Sequence, residues 1–145
     1  MILVGGENLI DLIQIGKGSS NALFEAVPGG SPYNLAVALG RQGVDVGYLT
    51  PISEDFNGDL LASRLLESNV TLLGGRVAAL SSLAVVNFEN NSPNYVFYRE
   101  GTAERLIDKI NLELRLTEDI TIFHIGSLGL SGGDDAEVWE DFATS

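Results

Sequence analysis

Pro28-Gly29-Gly30-Ser31-Pro32-Tyr33-Asn34-Leu35-Ala36-Val37-Ala38-Leu39 is the stretch on which the fold turns. The run Leu23 to Val27 halts at a proline and two glycines, and a helical pattern begins directly after them. Ser31 is a good N-cap and Pro32 suits the first helical position. Leu35, Ala36, Ala38 and Leu39 form the apolar side of a helix that ends near Gly43. Two glycines before a helix start let a ligand approach the backbone, where free N–H groups point outward. Asn34 falls in the first turn, and its amide can donate to one hydroxyl and accept from another. That is chemistry for a polyol. The same residues also suit a plain glycine-rich turn with a helix cap.

Upstream, Ile2 to Val4 is a continuous apolar run closed by Gly5-Gly6, as in a buried strand of a parallel sheet. Leu9-Ile10-Asp11-Leu12-Ile13 reads as a second strand, Gly16 to Asn21 as a polar turn, and Leu23 to Val27 as the returning partner. Downstream, Val46 to Thr50 is another buried strand. Asp55 caps a helix over Phe56 to Glu67, with Phe56, Leu60, Leu61 and Leu65 on one face. Between Ser81 and Arg99 the period changes to two, around an Asn-rich turn at Glu89 to Asn94 that contains Pro93: a β-hairpin. Helical spacing returns over Ala103 to Leu116. Ile120 to Ile125 is the last strand, and Asp134 to Phe142 an acidic amphipathic helix. Strand–helix alternation interrupted twice by hairpins predicts an α/β layered core carrying a small β-sheet extension.

Composition narrows the function. With 8 Lys and Arg against 20 Asp and Glu, the 145 residues carry a net charge of −12, which disfavours nucleic acid as a partner. At 45% hydrophobic and 19% charged, the chain has the apolar content of a folded domain. There is no cysteine, so disulfide frameworks, thiolate zinc sites and cysteine nucleophiles are out, and a reducing cytoplasm is the expected home. The start, Met1 to Gly6, carries neither a basic region nor a long apolar stretch, so neither a leader nor a membrane partner is expected.

Three further residues invite chemistry. Asp11 interrupts an apolar strand, and an isolated carboxylate is costly to bury unless hydroxyls or water satisfy it. A strand half open to solvent would also explain it. Arg99 closes the aromatic strand Tyr95 to Arg99 and can hold an anionic group, or pair on the surface with Glu100. His124, the one histidine, lies in the strand Ile122 to Ile125 and reads as a strand residue, not as a base or a metal ligand. The acidic run Asp134, Asp135, Glu137, Glu140, Asp141 reads as a helix N-terminus and a solvated face. No metal site is expected.

Taken in order, five pieces resemble the ribokinase-like (PfkB) sugar kinases, in particular the fructokinase and 2-keto-3-deoxygluconate kinase branch. They are Gly6-Glu7 with Leu9-Ile10-Asp11-Leu12, the Pro28 to Leu39 stretch, Ser53-Glu54-Asp55-Phe56-Asn57-Gly58, Phe97-Tyr98-Arg99-Glu100-Gly101-Thr102-Ala103, and Phe123-His124-Ile125-Gly126-Ser127-Leu128. The third resembles the family's Gly-x-Asp-x-x-Gly, with Ser53 in the first glycine's place. The resemblance implies a ribokinase-like, Rossmann-type core over residues 1–8, 29–70 and 101–145, and a β-sheet lid over 9–28 and 71–100. It implies sugar contacts at Asp11, Gly29, Gly30 and Asn34, and lid contacts at Phe97 and Arg99; the keto-deoxy-sugar branch commonly has tyrosine where Phe97 stands. It further implies ATP and Mg²⁺ as cofactors, fructose or a related keto sugar as the acceptor, and a homodimer formed through the lid. The family's catalytic base and anion hole lie in a C-terminal Gly-Ala-Gly-Asp preceded by Asp-Thr, which these residues do not contain. Gly132-Gly133-Asp134 lacks that prefix and reads as a turn and cap. The resemblance therefore makes this about the first half of a fructokinase-like enzyme, with no catalytic residue of its own. The alternatives are 2-keto-3-deoxygluconate kinase, or a non-catalytic sugar-binding or dimerisation module if the chain is naturally this short.

Overall fold

A computed structural model describes residues 1–17 and 20–145. The turn expected at Gly16 to Asn21 includes Gly18 and Ser19, which lie outside the described residues. Strand β1 (Ile2–Gly6) is the centre of the main sheet. It is flanked by β10 (Ile122–Gly126) and β4 (Val46–Tyr48), with β6 (Val70–Leu72) beyond β4, and every pairing is parallel. Alternation sends Leu3 and Val4 to opposite faces of this sheet, and both are fully buried.

On the Val4 face pack helices α1 (Ser31–Arg41) and α2 (Phe56–Glu67), through Tyr33, Ala36, Leu61 and Leu65. On the Leu3 face pack α3 (Lys109–Glu113) and α4 (Asp134–Thr144), through Leu112, Trp139 and Phe142. Two helical layers on a parallel sheet are the α/β core that the residue pattern predicted. Among the described residues no helix is long and apolar enough to cross a membrane.

A second four-stranded sheet runs β3-β2-β8-β9, from β2 (Leu9–Lys17), β3 (Ala22–Gly29), β8 (Ser82–Glu89) and β9 (Ser92–Tyr98). Its hairpins are antiparallel and its central pair, β2 with β8, is parallel. Residues 71–77, read from sequence with the lid, hydrogen-bond elsewhere. β6 lies in the main sheet, and β7 (Arg76–Val77) pairs with the short β5 (Ile52–Ser53).

Several local expectations are corrected. The cap of α1 is Gly30, not Ser31; φ there is 110°, so the helix entry needs a glycine. Phe56 and Leu60 are exposed, and the buried face of α2 runs Gly58, Leu61, Ala62, Leu65. The β8–β9 turn is only Asn90-Asn91, both at positive φ as a two-residue hairpin loop requires. Pro93 lies instead within β9, an edge strand that tolerates a missing donor. The helix expected over Ala103 to Leu116 is broken into a 3-10 turn at Ala103–Arg105 and α3, because Asp108 caps α3 by accepting from the Asn111 N–H (3.0 Å).

Asp55 does cap α2. Its carboxylate accepts from the Gly58 N–H (2.8 Å), the Ser81 hydroxyl (2.7 Å) and the Ser81 N–H (2.8 Å), tying α2 to the entry of β8. Burial opposes its charge, but the hydrogen bonds from Ser81, Gly58 and Ser53 outweigh it and hold the carboxyl below the usual aspartate range. The folded state thus binds this proton less readily than the unfolded chain. The stability Asp55 contributes is full above the ordinary value of 3.8 and is lost as pH falls through the lower folded value. Asp55→Asn is expected to cost about 1 kcal/mol at pH 7 and to flatten that acid limb; urea unfolding between pH 2.5 and 7 checks both.

Candidate functional site

The register of the second sheet decides which side chains meet. Asp11 on β2 stands opposite Val27 on β3 and opposite Ala84 on β8, and Ala84 stands opposite Phe97 on β9. Asp11 and Phe97 therefore share one face, about 10 Å apart at two strand spacings. Leu9, opposite both Gly29 and Ser82, puts the end of β3 on that same face.

Gly29 lies directly against the Asp11 carboxylate, so that a methyl group added to Gly29 would collide with Asp11 Oδ2. Gly30 follows, and a Cβ there would stand 2.5 Å from the Glu7 carbonyl oxygen. The Gly30 carbonyl accepts the first helical bond from the Asn34 N–H (2.9 Å). Asn34 is exposed on the first turn of α1, and its side-chain amide makes no hydrogen bond among the described residues. The Asp11 carboxylate has no such partner either, and burial pushes its carboxyl above the usual range. Asp11 thus touches Gly29, and Gly30 and Asn34 follow at the start of α1; this candidate cradle offers an unsatisfied acceptor, a free amide and a bare backbone.

Phe97 is half exposed and stacks on Tyr95, ring centroids 6.0 Å apart and planes 9° from parallel. Together they give the face an apolar flank. Arg99 is held differently from either sequence expectation. Its Nε donates to Glu104 Oε1 (2.7 Å) and its Nη2 to Glu104 Oε2 (3.1 Å), while Nη1 reaches the Leu128 carbonyl (3.4 Å). Its partner is the buried Glu104, not Glu100.

Sequence reasoning missed the supports of the cradle. The chain leaves the main sheet at Gly6-Glu7-Asn8, where Glu7 and Asn8 are buried. Thr50 donates to the Gly6 carbonyl (2.7 Å), Tyr48 donates to the same carbonyl (3.0 Å), and Asn8 donates to the Pro51 carbonyl (3.1 Å). Glu7 Oε1 accepts from the Ser31 N–H (3.0 Å), supplying at the start of α1 the negative cap that Ser31 was expected to supply by itself. The one signal was two adjacent polar residues between Gly6 and an apolar run.

His124 lies in β10 opposite Val4, away from the cradle. Asp135, assigned to a solvated face, is buried and accepts from Arg105 Nε (2.9 Å). Among the described residues no group of three His, Cys, Asp or Glu could hold a metal ion. What the cradle offers is hydroxyl chemistry: one carboxylate acceptor, one amide, outward N–H groups at a helix start and an aromatic flank.

Comparison with known proteins agrees in sequence and in shape. The family described as pfkB family carbohydrate kinase matches residues 1–145. A fructokinase from Rhizobium leguminosarum bv. trifolii is 34% identical over 141 residues, covering 97% of this chain and 43% of that protein. The crystal structure of a fructokinase from Xylella fastidiosa superposes with a TM-score of 0.87 at 31% identity, covering 97% of this chain and 46% of the other. An uncharacterized sugar kinase from Pyrococcus horikoshii, solved in complex with ATP, gives 0.85 at 27% identity, covering 99% and 49%. In each case the chain spans less than half of the relative's length.

Proposed function

This chain belongs to the pfkB family of carbohydrate kinases, and on that premise we propose that it is the sugar-binding part of an ATP-dependent fructokinase. The family and the ribokinase-like fold support a sugar kinase. The observation that carries the finer reading is the cradle: Asp11, without a hydrogen-bond partner among the described residues, lies against Gly29, and the Asn34 amide, likewise without one among them, stands one turn along α1. In this reading Asp11 and Asn34 accept from and donate to sugar hydroxyls, the bare backbone of Gly29 and Gly30 lets the ring approach, and Phe97 covers it from the second sheet, which acts as a lid. Covering the sugar keeps water from competing for the phosphoryl group.

ATP supplies that group when bound, with Mg²⁺ neutralising its phosphates. The donor set of the cradle fits hydroxyls and not polyphosphate, and the described residues hold no metal-ligand cluster. No step of the transfer is assigned to these residues. Residues 1–145 by themselves are expected to release no ADP from ATP in the presence of fructose, whereas the protein at its full natural length does so. A coupled ADP assay on the two polypeptides checks this, and fructose-dependent turnover by residues 1–145 would contradict it.

The choice of fructose over 2-keto-3-deoxygluconate rests on Arg99. A sugar acid needs a cation, and the Arg99 fork is engaged by Glu104. A homodimer through the lid is part of the same proposal, supported by the exposed apolar side chains of Phe24, Phe88, Val96 and Tyr98 on the second sheet. We place the protein in the cytoplasm.

A further inference from the structure

A charged pair where a neutral substrate is to bind calls for an explanation. The Arg99 side chain is 11% exposed and that of Glu104 is 1% exposed, and both carboxylate oxygens of Glu104 are taken by the guanidinium. The Ser82 hydroxyl donates to Glu104 Oε1 (2.8 Å) and lies 2.7 Å from the Thr102 hydroxyl, which donates to the Arg99 carbonyl (2.8 Å). Ser82 stands opposite Leu9, and Leu9 opposite Gly29, so this pair sits on the face that carries Asp11. Arg99 also lines a cavity of about 360 Å³ with Phe97, Leu83 and Thr102. Glu100, the next residue, is exposed and makes no ion pair among the described residues.

We propose that Glu104 sets the charge class of the substrate: by neutralising Arg99 it makes the cradle select uncharged sugars and reject sugar acids. This rests on the reading of the cradle as a sugar site. Glu104 is a positioning residue, acting through Arg99 and not by contact with the sugar. With its carboxylate in place the Arg99 charge is balanced, the face still carries the carboxylates of Asp11 and Glu25, and a carboxylated sugar meets no uncompensated guanidinium at Arg99. With the carboxylate replaced by an amide, Ser82 and Arg99 keep a hydrogen-bond acceptor, but the guanidinium charge is uncompensated and a ligand carboxylate can take it.

The test is titration calorimetry with D-fructose and with D-gluconate on the protein at its full natural length. For Glu104→Gln, gluconate affinity is expected to rise by about tenfold or more over wild type, the scale of one charge-assisted hydrogen bond. Fructose affinity changes far less, a split that a merely structural role would not produce. The double variant Arg99→Leu/Glu104→Gln is expected to lose the gain. A folded Glu104→Gln protein with wild-type gluconate affinity overturns the inference, as does a wild-type protein that binds gluconate as tightly as fructose. A second measurement covers poor folding of Glu104→Gln: in Glu104→Ala, acetate fills the vacated place and raises the melting temperature, but does not do so in Arg99→Leu/Glu104→Ala. An equal acetate effect in both, or none in either, overturns the proposal. Failure of the wild-type protein to bind fructose strikes instead at the functional reading of the cradle.

Discussion

Replacing Asp11 by alanine raises the KM for fructose by about 10- to 100-fold while the protein stays folded. The magnitude follows from losing hydrogen bonds to a charged acceptor, each contributing roughly 1.5–3 kcal/mol. Stability moves the other way. Burial holds the Asp11 carboxyl above its ordinary value of 3.8, so the folded protein binds this proton more readily than the unfolded chain. The contribution of Asp11 to stability therefore falls as pH rises from that value through the higher folded one. At pH 7 the ligand-free protein bears a half-buried carboxylate with no hydrogen-bond partner among the described residues. Asp11→Asn removes that charge, and the sugar-free variant is expected to melt at or above the wild-type temperature. Weaker sugar binding together with unchanged or raised thermal stability is the signature of a residue kept for its ligand. An unchanged KM in both Asp11→Ala and Asn34→Ala would refute the site.

Gly30→Ala is expected to damage the fold itself. At φ 110° a side chain is strained wherever it stands, and here its Cβ would meet the Glu7 carbonyl oxygen at 2.5 Å. The positive φ and the forced shift each cost about 1–3 kcal/mol. A loss of roughly 2–6 kcal/mol, or about 10–20 °C in melting temperature, follows for a chain of this size. Gly43→Ala is the control. Its φ of 78° is also positive, but nothing lies within 4 Å of an added Cβ, so only the backbone term of about 1 kcal/mol remains. Equal melting temperatures for the two variants would show that the close approach of Gly30 to Glu7 is unimportant. The consequence reaches the cradle, because this contact fixes where α1 begins and so where Asn34 points.

Much of this was legible in the sequence, and for physical reasons. The glycine pair at 29–30 and the proline at 32 mark a strand-to-helix corner whatever the tertiary context. Asp11 stood out because an apolar strand has no packing use for a carboxylate. What stayed hidden depended on contacts between distant segments. Glu100 looked like the partner of Arg99 because the two are adjacent, yet β9 ends at Tyr98 and Glu100 lies exposed in the turn that follows. The chain turns at Gly101, at φ 64°, and returns Glu104 to the side on which Arg99 lies. Glu7 capping α1 from 24 residues upstream could not be read locally, and Ser31 was the plausible local choice. Phe56 fits a helical stripe by spacing, but the buried face runs through Gly58, Leu61, Ala62 and Leu65, and Phe56 shares with Leu60 the flank that stays in water.

The structure of the protein with fructose bound decides whether Asp11 and Asn34 hold the sugar. The sugar is expected against Gly29 and Gly30, with hydroxyls in hydrogen-bond contact with the Asp11 carboxylate and the Asn34 amide and with Phe97 over the ring. Fructose seated elsewhere, with Asp11 and Asn34 still facing water, would contradict it.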